Sequence, residues 1–421
     1  MKPSDYISLE DRYGAHNYHP LPVVLQRGVG PYVWDVEGKR YFDFLSAYSA
    51  VNQGHSHPRI IEALVDQAQT LALTSRAFHN DQLGAMEEAM ATRFGYHKVL
   101  AMNSGAEAVE TALKLARRWA YDVKGVVPDQ ALILVAQQNF HGRTSTIASF
   151  SSDPDSYGGF GPAMPGFQII PYNDLLALEQ ALANPNVAAF LVEPIQGEAG
   201  VNMPSDDYMA RVAALCRSKR VLFMADEIQT GIGRTGSWLA TCGSCGCTGG
   251  RCERDPKTYV RPDVLILGKA LSGGVYPISA VLADDEVMLT IKPGQHGSTF
   301  GGNPIAARVA QVALQVVEDE MLMQRARRQG AHFRATLERE FASNPLVAKV
   351  RGRGLLNAVV INTPEDSDLA WNICLALAAN GVLAKPTHGS IIRFAPPLIL
   401  TDAEMDDALS RIVKTVNESS K

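Results

Sequence analysis

Residues Val264–Ala283 read VLILGKALSGGVYPISAVLA: two short apolar runs, Val264–Leu267 and Ile278–Leu282, flank a turn-rich stretch with one charge, Lys269. Apolar runs this short, bounded by glycine or polar turns, mark strands buried on both faces. The signature recurs at Ala131–Ala136 (ALILVA), Ala188–Val192 (AAFLV) and Val221–Ala225 (VLFMA). Helical patterns at Ala106–Trp119, Leu175–Ala183 and Asp207–Ser218 alternate with these runs. Such alternation predicts an α/β fold with a large, doubly wound, mainly parallel sheet.

After Asn303 the pattern changes to long helices, Pro304–Val317 and Leu322–Phe341, then strand-like Leu355–Ile361 and a further helix and strand, which predicts a smaller α/β domain. Near the start, Val29–Asp35 and Tyr41–Phe44 read as a hairpin. The expected division is an N-terminal segment, 1–50, packing with the small domain; a large domain, 51–303; and a C-terminal small domain, 304–421.

With 421 residues, 46% hydrophobic and 20% charged, the chain has apolar material for a large core. A net charge of -5, with scattered Lys and Arg, offers no basic stripe to nucleic acid or an anionic membrane, so small molecules are the expected partners. The opening stretch is the one candidate membrane span, and Lys269, Gly273-Gly274 and Pro277 interrupt it. The first twenty residues, MKPSDYISLEDRYGAHNYHP, have neither the apolar run of a secretory signal nor an Arg-rich transit pattern. The expected location is cytoplasmic; a chain trimmed of a mitochondrial presequence reads the same way.

Lys269 is the first candidate functional residue. Burial favours the neutral, nucleophilic amine that condensation with a carbonyl requires, although a lone Lys can also snorkel from a strand end. Its value depends on partners. Open parallel sheets place ligands beyond the carboxyl ends of their strands, and the polar residues there form a set. After Leu100–Met102 come Asn103-Ser104-Gly105-Ala106-Glu107, a helix start whose free N–H groups can seat a phosphate. After Ala136 come Phe140-His141-Gly142-Arg143, an aromatic able to stack on a flat cofactor and a guanidinium able to grip a carboxylate. Glu193, Gln196 and Glu198 follow Val192, and Asp226-Glu227-Ile228-Gln229 follow Ala225. A carboxylate at a buried strand end needs a cation. The protonated ring nitrogen of pyridoxal phosphate would serve Asp226.

Asp226-Glu227-Ile228-Gln229-Thr230-Gly231, Gly268-Lys269-Ala270-Leu271-Ser272-Gly273-Gly274 and Gly297-Ser298-Thr299-Phe300-Gly301-Gly302-Asn303 closely resemble the class III, fold-type I, pyridoxal-phosphate aminotransferases. The resemblance runs from about Tyr13 to Val413. Within the class it is strongest to members acting on ornithine, through Tyr13-Gly14-Ala15-His16-Asn17-Tyr18-His19-Pro20, Phe44–Asn52 and Ala384-Lys385-Pro386-Thr387-His388-Gly389.

The resemblance implies pyridoxal 5'-phosphate as cofactor and the following roles. Lys269 would carry the cofactor covalently and shuttle a proton, and Asp226 would pair with the ring nitrogen. Phe140 and Ile228 would cover the ring faces, with His141 beside them, and Gln229 would bond the phenolic oxygen. Ser104, Gly105 and Ala106 would hold the phosphate, completed by Ser298 and Thr299 of a second subunit, so that a homodimer or larger assembly is expected. The implied reaction is ping-pong transfer of the δ-amino group of L-ornithine to 2-oxoglutarate. Arg143 would hold the distal carboxylate of both substrates and Arg393 the second carboxylate of 2-oxoglutarate. Glu198 would mask Arg393 when ornithine is present, with Glu193, Tyr18 and Tyr48 completing the substrate pocket. His141 departs from ornithine-specific relatives, which often have a second aromatic ring there; only local packing is expected to change.

The rivals are a class III enzyme acting on acetylornithine or 4-aminobutyrate, an isomerase on the same scaffold, and an interaction protein using a Cys-rich loop. That loop, about 241–257, holds Cys242, Cys245, Cys247 and Cys252 and reads as a surface insertion. Free thiols or a labile disulfide are expected there rather than zinc, since no His is nearby, and no metal is assigned to the site.

Overall fold

The computed structural model describes residues 1–242 and 260–419. The Cys-rich insertion, with Cys245, Cys247 and Cys252, therefore lies outside the described residues apart from its first two positions.

The seven-stranded sheet has the order β4 (Lys98–Met102), β10 (Ser279–Ala283), β9 (Val264–Leu267), β8 (Leu222–Asp226), β7 (Val187–Val192), β5 (Leu132–Ala136) and β6 (Phe167–Ile170). Only β10 runs antiparallel to its neighbours; β5 through β9 pair in parallel. Strands β7 to β10 are buried along their whole length, as their unbroken apolar sequences require when helices cover both faces. This is the fold-type I sheet. Its parallel strands all end at one edge, so the residues after Met102, Ala136, Val192, Asp226 and Leu267 converge there.

The helix Gly105–Trp119 packs on that sheet through Ala108, Val109, Ala112, Leu115, Ala116 and Trp119. Ser104 and Glu107 form a capping box that fixes its first turn. The helix Pro304–Asp319 starts in the same way, with Asn303 as cap and Pro304 preset at the first helical position.

A second sheet has the order β11 (Val347–Arg353), β12 (Leu356–Ile361), β15 (Ile391–Phe394), β14 (Lys385–Thr387). A third joins β1 (Leu25–Val29), β2 (Tyr32–Asp35) and β3 (Arg40–Asp43) to β13 (Val382–Leu383), so the first segment is finished by a strand from the last quarter of the chain. Phe42 N and Phe44 N donate to Gly381 O and Leu383 O, and Lys39 Nζ donates to the carbonyls of Ala378 and Ala379.

The expected strand Val29–Asp35 is in fact split. Val29 closes β1, and Gly30, with φ of 58°, and Pro31 turn the chain into β2. Gly-Pro breaks strands, so the apolar residues around it belong to two antiparallel strands. Among the described residues, no helix is long and apolar enough to cross a membrane.

Candidate active site

At the carboxyl edge of the large sheet lies a cavity of about 210 Å³, lined by Gly105, Ala106, Phe140, Gly142, Glu193, Glu198, Asp226, Ile228, Gln229 and Lys269, with His141 and Thr230. The expected cofactor residues from four strand ends thus share one wall. Lys269 follows β9 with φ of 41°, a left-handed conformation costly for a residue with a side chain and often found at functional sites. Burial pulls its ammonium below the usual lysine range, against the opposing charges of Glu198 and Asp226.

Asp226 and Glu227 point to opposite sides, as alternation at a strand end dictates. Glu227 turns inward and accepts from Ala240 N, Thr241 N and Thr230 Oγ1, so it is a structural carboxylate. Asp226 turns to the cavity. Its Oδ1 accepts from Ile228 N at 3.0 Å, and its Oδ2 accepts from His141 Nδ1 at 2.6 Å. Burial lowers the His141 pKa, but the hydrogen bond and charge of Asp226 outweigh it, and the net direction is up. His141 Nε2 is buried without a partner. His141 therefore does more than the local packing expected of it: it grips the carboxylate.

Glu193 and Glu198 are driven apart. Glu193 accepts from Phe140 N at 2.8 Å and Gly197 N at 3.3 Å, so its carboxylate holds backbone rather than standing open. Burial pushes it up to about 7. Glu198 also pays for burial, yet Arg393 and Lys269 overcome that cost and hold it down at about 2. Arg393, only 4% exposed, donates from Nη1 to Glu198 Oε1 at 2.7 Å. Gln229 Nε2 donates to the same oxygen at 3.1 Å and to Tyr48 O at 3.3 Å, and Gln229 Oε1 is buried without a partner. The Tyr48 ring lies 5.5 Å from the Arg393 guanidinium. Tyr48 sits in a left-handed turn, Ser46 to Ser49, all with positive φ.

The remaining expected residues lie outside the cavity lining. Arg143 is exposed, its guanidinium 5.6 Å from the Phe140 ring. Tyr18 is 69% exposed, with Lys385 Nζ 5.8 Å from its ring. Ser298 Oγ accepts from Asn103 Nδ2 at 2.7 Å, and Thr299 is exposed. At the helix start, Ser104 N and Asn103 N donate to Glu107 Oε2, while Gly105 N and Ala106 N have no backbone partner among the described residues. Gly142 and Thr230 in the lining were not singled out from sequence, although each adjoins a residue that was.

The aminotransferase class III family model matches residues 13–416. The chain belongs to the class III aminotransferases. Mitochondrial ornithine aminotransferase of Rattus norvegicus is 57% identical over 414 residues, 98% of this chain and 90% of that protein. A Toxoplasma gondii ornithine aminotransferase, whose crystal structure has PLP at partial occupancy in its active site, superposes with TM-score 0.94 at 49% identity, covering 100% of this chain and 96% of that one. Acetylornithine aminotransferase from Elizabethkingia anophelis superposes with TM-score 0.88 at 54% identity, covering 99% and 100%.

This class III aminotransferase is a pyridoxal-phosphate enzyme, and its cavity fits that cofactor. Unpartnered amides of Gly105 and Ala106 offer a phosphate seat at a helix start. Asp226 offers a buried carboxylate to a ring nitrogen, and Lys269 an amine of lowered basicity to an aldehyde.

Proposed function

We propose that the protein transfers the δ-amino group of L-ornithine to 2-oxoglutarate, giving glutamate 5-semialdehyde and L-glutamate in two alternating half-reactions. The observation that carries this reading is the Arg393–Glu198 pair at 2.7 Å beside the Lys269 cavity. The two substrates make opposite demands near the reacting atom: ornithine brings an amine, 2-oxoglutarate a carboxylate. A buried guanidinium that a neighbouring carboxylate can cover or expose meets both.

Bound pyridoxal phosphate supplies the carbonyl that receives the amino group and an electron-withdrawing ring that stabilises charge on the carbon losing its proton. The residues do the rest. Lys269 would hold the cofactor through its amine and would move the proton at the reacting carbon, a role for which burial lowers its basicity. Asp226, held by His141 and the Ile228 amide, would pair with the ring nitrogen. Phe140, anchored through its backbone by Glu193, and Ile228 would cover the ring faces, while Gly105 and Ala106 would hold the phosphate. Arg143 takes the distal carboxylate of either substrate, and Tyr18 and Tyr48 orient ornithine. Gln229, which donates to Glu198, would bond the phenolic oxygen of the cofactor.

Ser298 and Thr299 stand outside their own chain's cavity and are assigned to the neighbour's phosphate site, so the proposed active unit is a homodimer or a larger assembly. The rat relative is named as mitochondrial, and fractionation of the native cell tests whether this chain is mitochondrial or cytoplasmic.

Purified protein loaded with pyridoxal phosphate is expected to turn over ornithine only when 2-oxoglutarate is present, forming a semialdehyde that cyclises to pyrroline-5-carboxylate. Loss of product without 2-oxoglutarate separates transfer from isomerisation. Faster turnover of N-acetylornithine than of ornithine would overturn the substrate assignment.

A further inference from the structure

We propose that Thr387 is a positioning residue that sets the balance between the two half-reactions by tethering the backbone of Glu198. The proposal rests on the ornithine reading, in which Glu198 covers and uncovers Arg393.

Thr387 ends β14, paired in register with β15: Lys385 faces Arg393 and Thr387 faces Ile391. The connection turns through His388 and Gly389, both with positive φ, so the hairpin has a set geometry. It reaches the Glu198 loop twice. Arg393 Nη1 takes the Glu198 carboxylate at 2.7 Å, and Thr387 Oγ1 donates to the Glu198 backbone carbonyl at 2.9 Å. Among the described residues no backbone amide donates to that carbonyl. The strand that holds the guanidinium and the strand that holds its mask are therefore hydrogen-bonded neighbours.

This arrangement separates the part of Glu198 that must move from the part that must not. When a dicarboxylate takes Arg393, the Glu198 carboxylate has to leave, and Gln229 Nε2 at 3.1 Å can retain it. When ornithine returns, the carboxylate must recover its position on a guanidinium that is almost fully buried, where an uncovered charge is costly. A tethered carbonyl limits the search to the side-chain torsions. Without the tether the loop adds its own freedom, and the mask is less often in place when ornithine arrives. The 2-oxoglutarate half-reaction, which needs the mask off, is spared.

The test follows each half-reaction separately in single turnovers, by the absorbance of the bound cofactor, in wild type, Thr387→Val, Thr387→Ala and Thr387→Ser. Valine keeps the β-branched shape and removes the donor; serine keeps the donor. The ratio of kcat/KM for ornithine to that for 2-oxoglutarate is expected to fall about fivefold in Thr387→Val, the worth of one hydrogen bond, and to return in Thr387→Ser. A residue that only stabilised the hairpin would lower both half-reactions together. An unchanged ratio in Thr387→Val, or in Thr387→Ala should the valine variant not fold, overturns the proposal. Failure of the wild type to react with ornithine overturns the functional reading instead.

Discussion

Glu193 and Glu198 lie on one loop and carry the same group, yet their surroundings send them to about 7 and about 2. Glu198 meets two cations; Glu193 meets His141 and two backbone amides, but the nearby Asp226 opposes them and burial stays in command. The consequence for Glu193 has a definite sign. Its pKa in the folded chain lies above the 4.5 of the unfolded one, so between about pH 4.5 and 7 the folded state keeps a proton that the unfolded state has lost. Stability from this group therefore falls as pH rises through that window. Glu193→Gln removes the charge but keeps only one acceptor oxygen, so its thermal midpoint relative to wild type is expected to rise by a few degrees from about pH 5 to about pH 8. Activity near pH 8 is expected to drop about tenfold, because an amide cannot accept from both Phe140 N and Gly197 N and the Phe140 ring loses its anchor. A difference between variant and wild-type midpoints that stays constant from about pH 5 to about pH 8 would show that burial does not govern this carboxylate. Of the two His141 nitrogens, Nδ1 is committed to Asp226, and Nε2 is buried with no hydrogen-bond partner among the described residues.

The helix Gly105–Trp119 and the turn after β5 meet at a close contact that shapes the phosphate seat. Gly142 has φ of 125°, and a Cβ there would lie 2.9 Å from the Ala106 Cβ and 3.1 Å from Ile147 Cδ1. Gly142→Ala would thus both strain the turn and push the first turn of the helix. Its expected result is about tenfold weaker retention of pyridoxal phosphate on dialysis, with the far-ultraviolet circular dichroism of the wild type; unchanged retention would disprove the contact's role. Elements of this kind were largely readable in sequence. Unbroken apolar runs announced β5, β7, β8, β9 and β10 because burial on both faces leaves little room for polar residues, and Lys269 and Asp226 stood out because a buried charge demands a partner. The edge strand β6 was missed because Gln168 and Ile169 are exposed and its four residues carry no pattern. Strands β13 and β14 are shorter still. The left-handed turn under Tyr48 contains no glycine to mark it, since tertiary packing rather than residue type holds it there. The Thr387–Glu198 and Gln229–Glu198 bonds join residues far apart in the chain, where local periodicity carries no information.

Across the whole molecule, Arg234 ties the three sheets' neighbourhoods together. It is fully buried, and among the described residues its hydrogen bonds go to an amide oxygen and two backbone carbonyls rather than to a carboxylate. Its Nε and Nη2 donate to Asn52 Oδ1, and its Nη1 donates to Leu355 O at 2.9 Å and Pro396 O at 2.6 Å. Burial pulls its pKa down to about 9, with Asp43 opposing, so the guanidinium stays charged at neutral pH, and these acceptors replace the water it has lost. Asn52 follows the N-terminal strands, Leu355 precedes β12, and Pro396 follows the β15 strand that carries Arg393. One side chain therefore fixes how the first segment and the last third of the chain meet the turn after Gln229. Arg234→Met keeps much of the volume and leaves these acceptors without a donor. It is expected to cost about 3 kcal/mol, the penalty for buried polar groups left unpaired. Calorimetry of the cofactor-loaded enzyme is expected to place the variant's transition well below that of wild type and to broaden it, because the C-terminal sheet is released before the large one. A variant within a degree of wild type, with the same peak width, would mean that the apolar contacts around Phe44, Phe333 and Phe394 hold the parts together without the guanidinium.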